Sequence, residues 1–269
     1  MIKSGLAINT VKYVHRTLSI ALEHAVSYQY IDNNPTRNTL TKFTSKVETP
    51  DPYTVEQMNL LLEGVKDTQW EFIIVLGGLY GMRRNEVLGL RWSNVDTGQK
   101  CFHIVQQLTS SQAKKATGEI LAELKEDHSL RTLPITKEAS IYFERQRTRS
   151  NTSASSDFII CRDNGKPLSD GHISRDFNRL LKDLGLPHCC FHDLRRAAAT
   201  NMHQLTGDFF TVGEILGHSL KGIGNQLGVI GGLEAVTERY VDVRLERKRV
   251  VLETYHKAVQ KKVPKVKER

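Results

Sequence analysis

Apolar residues recur three and four apart along residues 9–29. Val11, Val14, Leu18, Ala21, Leu22 and Ala25 share one face, while Lys12, Arg16 and Glu23 fall off it. That spacing predicts a helix, broken by Asn33-Asn34-Pro35. One amphipathic helix cannot enclose a core, so this segment must pack on something else. Residues 40–53 turn polar, carry Pro50 and Pro52, and read as a linker. Thr54-Val55-Glu56-Gln57 then opens a new unit as a capping box ahead of Met58, Leu61 and Leu62. A second apolar helix runs from about Gln69 to Tyr80 and stops at Gly81. Val87, Leu88 and Leu90 predict a short buried helix within 82–92, with Arg83 at the mouth of the turn.

Between 101 and 135 the period changes. Cys101–Gln107, Glu119–Leu124 and Arg131–Ile135 predict three strands of a small antiparallel sheet. Polar Ser110–Thr117 separates the first two, and Lys125–Ser129 forms the tight connection to the third, with Lys125 on the hairpin tip. Residues 147–156 read as a solvated loop. Helical spacing returns from Ser169 to Leu184, through Ile173, Phe177 and Leu180, and Gly185 ends it. Further helices are expected over Phe191–His203 and Val212–Leu216. Glycines at 222, 224, 228, 231 and 232 precede a helix from about Leu233 that carries Tyr240. Leu245, Leu252, Tyr255 and Val259 form a last stripe before a lysine-rich tail. The fold class is mainly α with a small antiparallel β-sheet, α+β.

The 269 residues can bury a sizeable core. Lys and Arg number 38 against 30 Asp and Glu, a net charge of +8, which is compatible with a nucleic-acid or other anionic partner. Cys101, Cys161, Cys189 and Cys190 show no C-x-x-C spacing and read as buried or idle thiols. No apolar run approaches the roughly 18 residues of a membrane span, and no signal-like stretch follows Met1. A cytoplasmic protein without a membrane partner is expected.

The candidate chemistry centres on Phe191–Arg196, FHDLRR. His192 and Arg195, three apart, lie on one helical face and can reach the same small anion. Imidazole moves protons near neutral pH, and guanidinium binds two phosphate oxygens at once. Alone the pair reads as well as a solvated helix start. Arg83, Lys125, His218 and Tyr240 complete the side chains needed to cut and rejoin a phosphodiester without a metal. No cluster of Asp or Glu is expected near His192, which disfavours a metal-dependent nuclease.

G-M-R-R-N-E at 81–86, L-K at 124–125, H-D-L-R at 192–195, L-G-H at 216–218 and T-E-R-Y at 237–240 resemble, in order, the motifs of the tyrosine recombinase (phage integrase) family. A-L-E-H-A at 21–25 and N-N-P at 33–35 resemble the last helices of that family's core-binding domain. The resemblance implies an N-terminally shortened member. Residues 1–45 would be the remnant of the core-binding domain, 46–53 a linker, 54–262 the catalytic domain and 263–269 a basic tail.

The resemblance further implies site-specific cleavage and rejoining of double-stranded DNA through a 3′-phosphotyrosine, in integration or excision of a mobile element. Tyr240 would attack the phosphate. Arg83 and Arg195 would hold its non-bridging oxygens, Lys125 would protonate the departing 5′-oxygen, His192 would relay a proton, and His218 would hydrogen-bond the phosphate. Glu86 would steady the network. No cofactor and no metal are expected; the partners would be DNA, copies of the chain forming a tetramer on it, and accessory DNA-bending proteins. The alternative function is a shortened, catalytically weak DNA-binding relative acting as regulator or inhibitor.

Each residue also has a plainer reading. Lys125 sits among Glu123, Glu126 and Asp127, where a hairpin salt bridge suffices, and Tyr240 competes with Tyr255. His218 and Tyr240 stand 22 positions apart, farther than in the family. The resemblance also implies that the 245–259 stripe docks on a neighbouring protomer, with packing in its own domain as the alternative.

Overall fold

The computed structural model describes residues 6–38, 50–109, 121–124, 129–150, 157–162, 165–168, 170–217 and 244–261. The linker at 46–49, Lys125, His218, Tyr240 and the tail from 263 lie outside them. The chain divides into two compact units, Met1–Pro50 and Asp51–Arg269. No described helix is long and apolar enough to cross a membrane.

In the first unit α1 spans Ile8–Ser27. The Asn-Pro break turns the chain back on it: Asn34 Nδ2 donates to Ser19 O and Glu23 Oε2, both at 2.9 Å. A short 3₁₀ turn, Pro35–Asn38, follows, and Arg37 pairs with Glu23. Val11 is buried, whereas Leu18 and Ile20 on the same helix are about half exposed.

The second unit is mainly α with small antiparallel sheets. The capping box forms: Thr54 Oγ1 accepts from Gln57 N, and Gln57 Oε1 accepts from Thr54 N. It starts α2, Val55–Gly64. The second apolar helix is α3, Gln69–Ile74, started by the Thr68 hydroxyl. It loosens into one π turn at Val75–Leu79, and Gly81 takes φ +66° to reverse the chain. The short helix α4 is Arg84–Gly89.

The predicted sheet is two sheets. β1, Val95–Asp96, pairs with β2, Cys101–Ile104. The first expected strand breaks at Val105 and resumes as β3, Gln106–Leu108, which pairs with β4, Leu121–Glu123. β5, Arg131–Pro134, returns to β2, giving the order β1-β2-β5. The β3–β4 hairpin closes between Leu108 and Leu121. β4 and β5 thus pair with different strands, and the connection at 125–128 that was expected to carry Lys125 on its tip lies outside the described residues.

Lys137–Ser150 forms α5, unread in the sequence, and takes in positions 147–150 of the expected loop. Then come α6 at Asp170–Asp183, α7 at Phe191–Thr206, α8 at Phe209–Leu216 and α9 at Leu245–Gln260. α7 seats against the π turn, where a Cβ on Gly77 would stand 2.6 Å from Phe191 Cζ. Any side chain there would push the start of α7 away.

The last helix settles the question of the 245–259 stripe. Val251, Leu252, Tyr255 and Val259 are each at most 1% exposed inside their own domain. The reading that hands this stripe to a neighbour is overturned: α9 completes the chain's own core. The π turn has carbonyls to spare, and Tyr255 Oη donates to Gly78 O at 3.0 Å. His256 joins Thr136 Oγ1 through Nδ1 at 2.8 Å and the Leu79 carbonyl through Nε2 at 3.3 Å.

Burial pulls the His256 imidazole down to about 4, against a smaller opposing effect of the Leu79 carbonyl. The unfolded chain, titrating near 6.5, therefore binds the extra proton between those values. Stability is complete above about pH 6.5 and is lost as pH falls towards 4. Unfolding by urea is expected to show a stability lower by about 2 kcal/mol at pH 5 than at pH 7. His256→Gln should remove most of that difference; an unchanged pH slope in the variant would assign it to other groups.

Candidate active site

Two turns build the site. At the first, Gly81 reverses the chain in a conformation that favours glycine. Its missing side chain also leaves room for Leu216. Arg83 follows as the N-cap of α4. Glu86 accepts from Arg83 N at 2.9 Å, closing the helix start, and from Arg83 Nη1 at 2.8 Å. One fully buried carboxylate thus fixes both ends of the arginine.

At the second turn, Asp193 Oδ2 accepts from Cys190 N at 2.8 Å and starts α7. His192 is exposed on the first turn, and Arg195, one turn on, is 3% exposed. Arg195 Nη1 donates to Gly81 O at 2.8 Å and Nη2 to Leu216 O at 2.7 Å. The two segments that carry the R-R-N-E and H-D-L-R motifs are joined by that first bond.

A third arginine was missed in the sequence. Arg131 on β5 grips Glu86 with both terminal nitrogens, Nη2 to Oε2 at 2.8 Å and Nη1 to Oε1 at 3.2 Å. Its Nε donates to Ile215 O at 2.8 Å and its Nη1 to Ser129 O at 2.9 Å. The available signal was register: Arg131 and Leu133 lie on the same side of a strand, so a charge stands at a core-facing position. Buried charge demands a partner, and Glu86 is that partner.

Burial alone would raise the Glu86 carboxyl. Hydrogen bonds and charge from Arg131, then from Arg83, outweigh it and hold the group below its ordinary value. Arg195 shows the opposite strain. Burial, then the charges of Arg83 and Arg131, pull it down to about 9, with Glu86 opposing. Three guanidinium groups, two of them buried, face one buried carboxylate, an excess of two positive charges. Such a cluster is built to receive an anion.

Beside the cluster lies a cleft of about 430 Å³, lined by Arg83, Arg84, Ser174, Asn178, His188 and His192 among others. Arg84 Nη1 donates to Ser174 Oγ at 2.7 Å across it. Arg83 is the member of the cluster that opens to solvent, its side chain 34% exposed. The structure therefore brings Arg83, Glu86 and Arg195 into one network and sets His192 on the same cleft as Arg83. Lys125, His218 and Tyr240 fall outside the described residues, although Gly217, one position before His218, accepts from Arg83 Nη2 at 3.1 Å. Among the described residues no group of three or more His, Cys, Asp or Glu gathers as a metal site.

The family model described as the phage integrase family matches residues 54–225, beginning at the N-cap of α2. A tyrosine recombinase XerC-like protein of Caldanaerobacter subterraneus subsp. tengcongensis is 22% identical over 240 residues, covering 81% of this chain and 61% of that protein. The chain thus spans about three-fifths of that relative's length. Among solved structures, the Tn1549 transposon integrase in complex with a circular intermediate DNA has a TM-score of 0.71 at 21% identity, covering 90% of this chain and 82% of that one. A lambda integrase tetramer bound to a Holliday junction has a TM-score of 0.58 at 20% identity, covering 77% and 57%. At these identities the likeness is one of fold.

Proposed function

The chain belongs to the phage integrase family, and from that premise we propose that it cleaves and rejoins DNA at specific sites through a 3′-phosphotyrosine. The observation that carries this reading is the excess of guanidinium charge around Glu86 at the edge of an open cleft. Tyr240 Oη attacks phosphorus and the bond to the 5′-oxygen breaks. Arg83 and Arg195 stabilise the charge that gathers on the non-bridging oxygens. Lys125 delivers a proton to the departing 5′-oxygen, His192 accepts or relays the tyrosine proton, and His218 holds a phosphate oxygen. One ester replaces another, so rejoining needs no added energy source.

Double-stranded DNA is the substrate. The solved relatives named above are described on DNA, one of them as a tetramer on a four-way junction, which supports a tetramer of this chain at its site. We place that work in the cytoplasm, on integration or excision of a mobile element.

The test is a DNA duplex nicked so that the short fragment beyond the cleavage point diffuses away. The unmodified protein is expected to remain covalently attached to it, in EDTA as in magnesium, because arginine and lysine supply the positive charge a metal would bring. Sequence-specific binding with no adduct would favour the regulator reading. A strict magnesium requirement of the chemical step would count against the mechanism.

A further inference from the structure

We infer that Arg131 is a positioning residue for strand cleavage, holding three separate parts of the site in register through one guanidinium group. The inference rests on the recombinase reading. Its first arm is Glu86, which accepts both terminal nitrogens of Arg131 and in turn fixes the backbone and side chain of Arg83. Its second is the carbonyl of Ile215, next to the Leu216 and Gly217 carbonyls that hold Arg195 and Arg83. Its third is the carbonyl of Ser129, at the entry to β5.

Arg131 itself is 7% exposed and is absent from the walls of the cleft. It meets no substrate, so whatever it does for the reaction it does through these neighbours. The planar fork matters here. Arginine presents donors in fixed directions, and all three of its nitrogens are used; an ammonium is a point donor at the end of a flexible stem and cannot span four acceptors on three segments. Arg131→Lys therefore keeps the charge beside Glu86 while releasing Ile215 and Ser129.

The experiment measures single-turnover cleavage of the nicked duplex and, separately, its equilibrium binding. The protein used is the full chain, well below the melting temperature of each variant. Arg131→Lys is expected to cleave roughly 10²-fold more slowly, the scale of an ångström-sized misplacement of reacting groups. Binding should stay within about twofold, since no contact to DNA is removed. A role confined to stability predicts something else: a smaller fraction of active protein, hence a lower final yield of adduct at an unchanged first-order rate.

Should the lysine variant fail to fold, Arg131→Gln, which keeps a donor beside Glu86 while Glu86 stays paired with Arg83, takes its place. The expected result for it is the same, slow cleavage with retained binding. A folded Arg131→Lys that cleaves at the normal rate overturns the inference alone. Failure of both variants to fold also overturns it, assigning Arg131 to the core. Absence of adduct with the unmodified protein removes the recombinase reading and this inference with it.

Discussion

Tyr240→Phe is expected to abolish covalent capture of the nicked duplex while leaving its binding nearly unchanged. The substitution deletes one hydroxyl and no phosphate contact, and losing a covalent nucleophile costs at least roughly 10⁴-fold in rate. The structure removes three other tyrosines as candidates. Tyr255, the competitor in the sequence, is fully buried, donates to Gly78 O, and is pushed well above the ordinary phenol range by burial, against a weaker hydrogen bond from Asn201. Tyr80 is equally enclosed and donates to Pro134 O at 3.2 Å, and Tyr53 donates to the Pro187 carbonyl. None of the three can present an oxygen to DNA without unfolding its surroundings. Gel shift and denaturing electrophoresis separate binding from capture; persistent adduct in the phenylalanine variant would move the nucleophile to another residue.

Removing residues 242–269 is expected to unfold the chain. Truncating one large buried side chain costs roughly 2–5 kcal/mol, and α9 contributes Val251, Leu252, Tyr255 and Val259 to the core. Their sum reaches the whole stability of an ordinary domain, about 5–15 kcal/mol. Polar links go too: Asn59 Nδ2 loses the Val259 carbonyl, Thr136 loses His256, and Arg249 no longer reaches Ile135 O. Circular dichroism should show no cooperative melting for the deletion. A folded, DNA-binding truncation that fails only to assemble would restore the exchange of this helix between protomers.

Much of the architecture was legible because the hydrophobic spacing of α2 and α6 matches their observed faces, whereas on α1 only Val11 of the expected face is buried. The exceptions have local causes. α5 buries Ala139, Phe143 and Gln146 and little else, while Arg145, Arg147 and Arg149 give it the look of a loop. Arg147 nonetheless lies over the Trp92 ring at 4.7 Å, a contact that local sequence does not announce. The single long strand became two because β2 and β3 pair with different partners on either side of Val105. The stripe on α9 shows that the helix must be covered, and spacing says nothing about which surface covers it.

The site divides in the same way. Arg83, Glu86, His192 and Arg195 were readable because short motifs keep them close to recognisable neighbours. Arg131 was not, because a charged residue in a strand reads as a solvent-facing one until its carboxylate, 45 positions upstream, is known.

Three successive carbonyls at the end of α8, those of Ile215, Leu216 and Gly217, each accept from a different arginine: Arg131, Arg195 and Arg83. Every amino acid carries that oxygen. Alanine at 215 or 216 would therefore leave the acceptors in place and report only the packing of the deleted side chains, while alanine at Gly217, where φ is +66°, would report backbone strain. For the same reason no compensating exchange at these positions can accompany a change of arginine, so the pairing leaves no trace in correlated substitutions. The arginines are tied to the course of the main chain, and their positions are inherited with the fold rather than with any neighbouring residue.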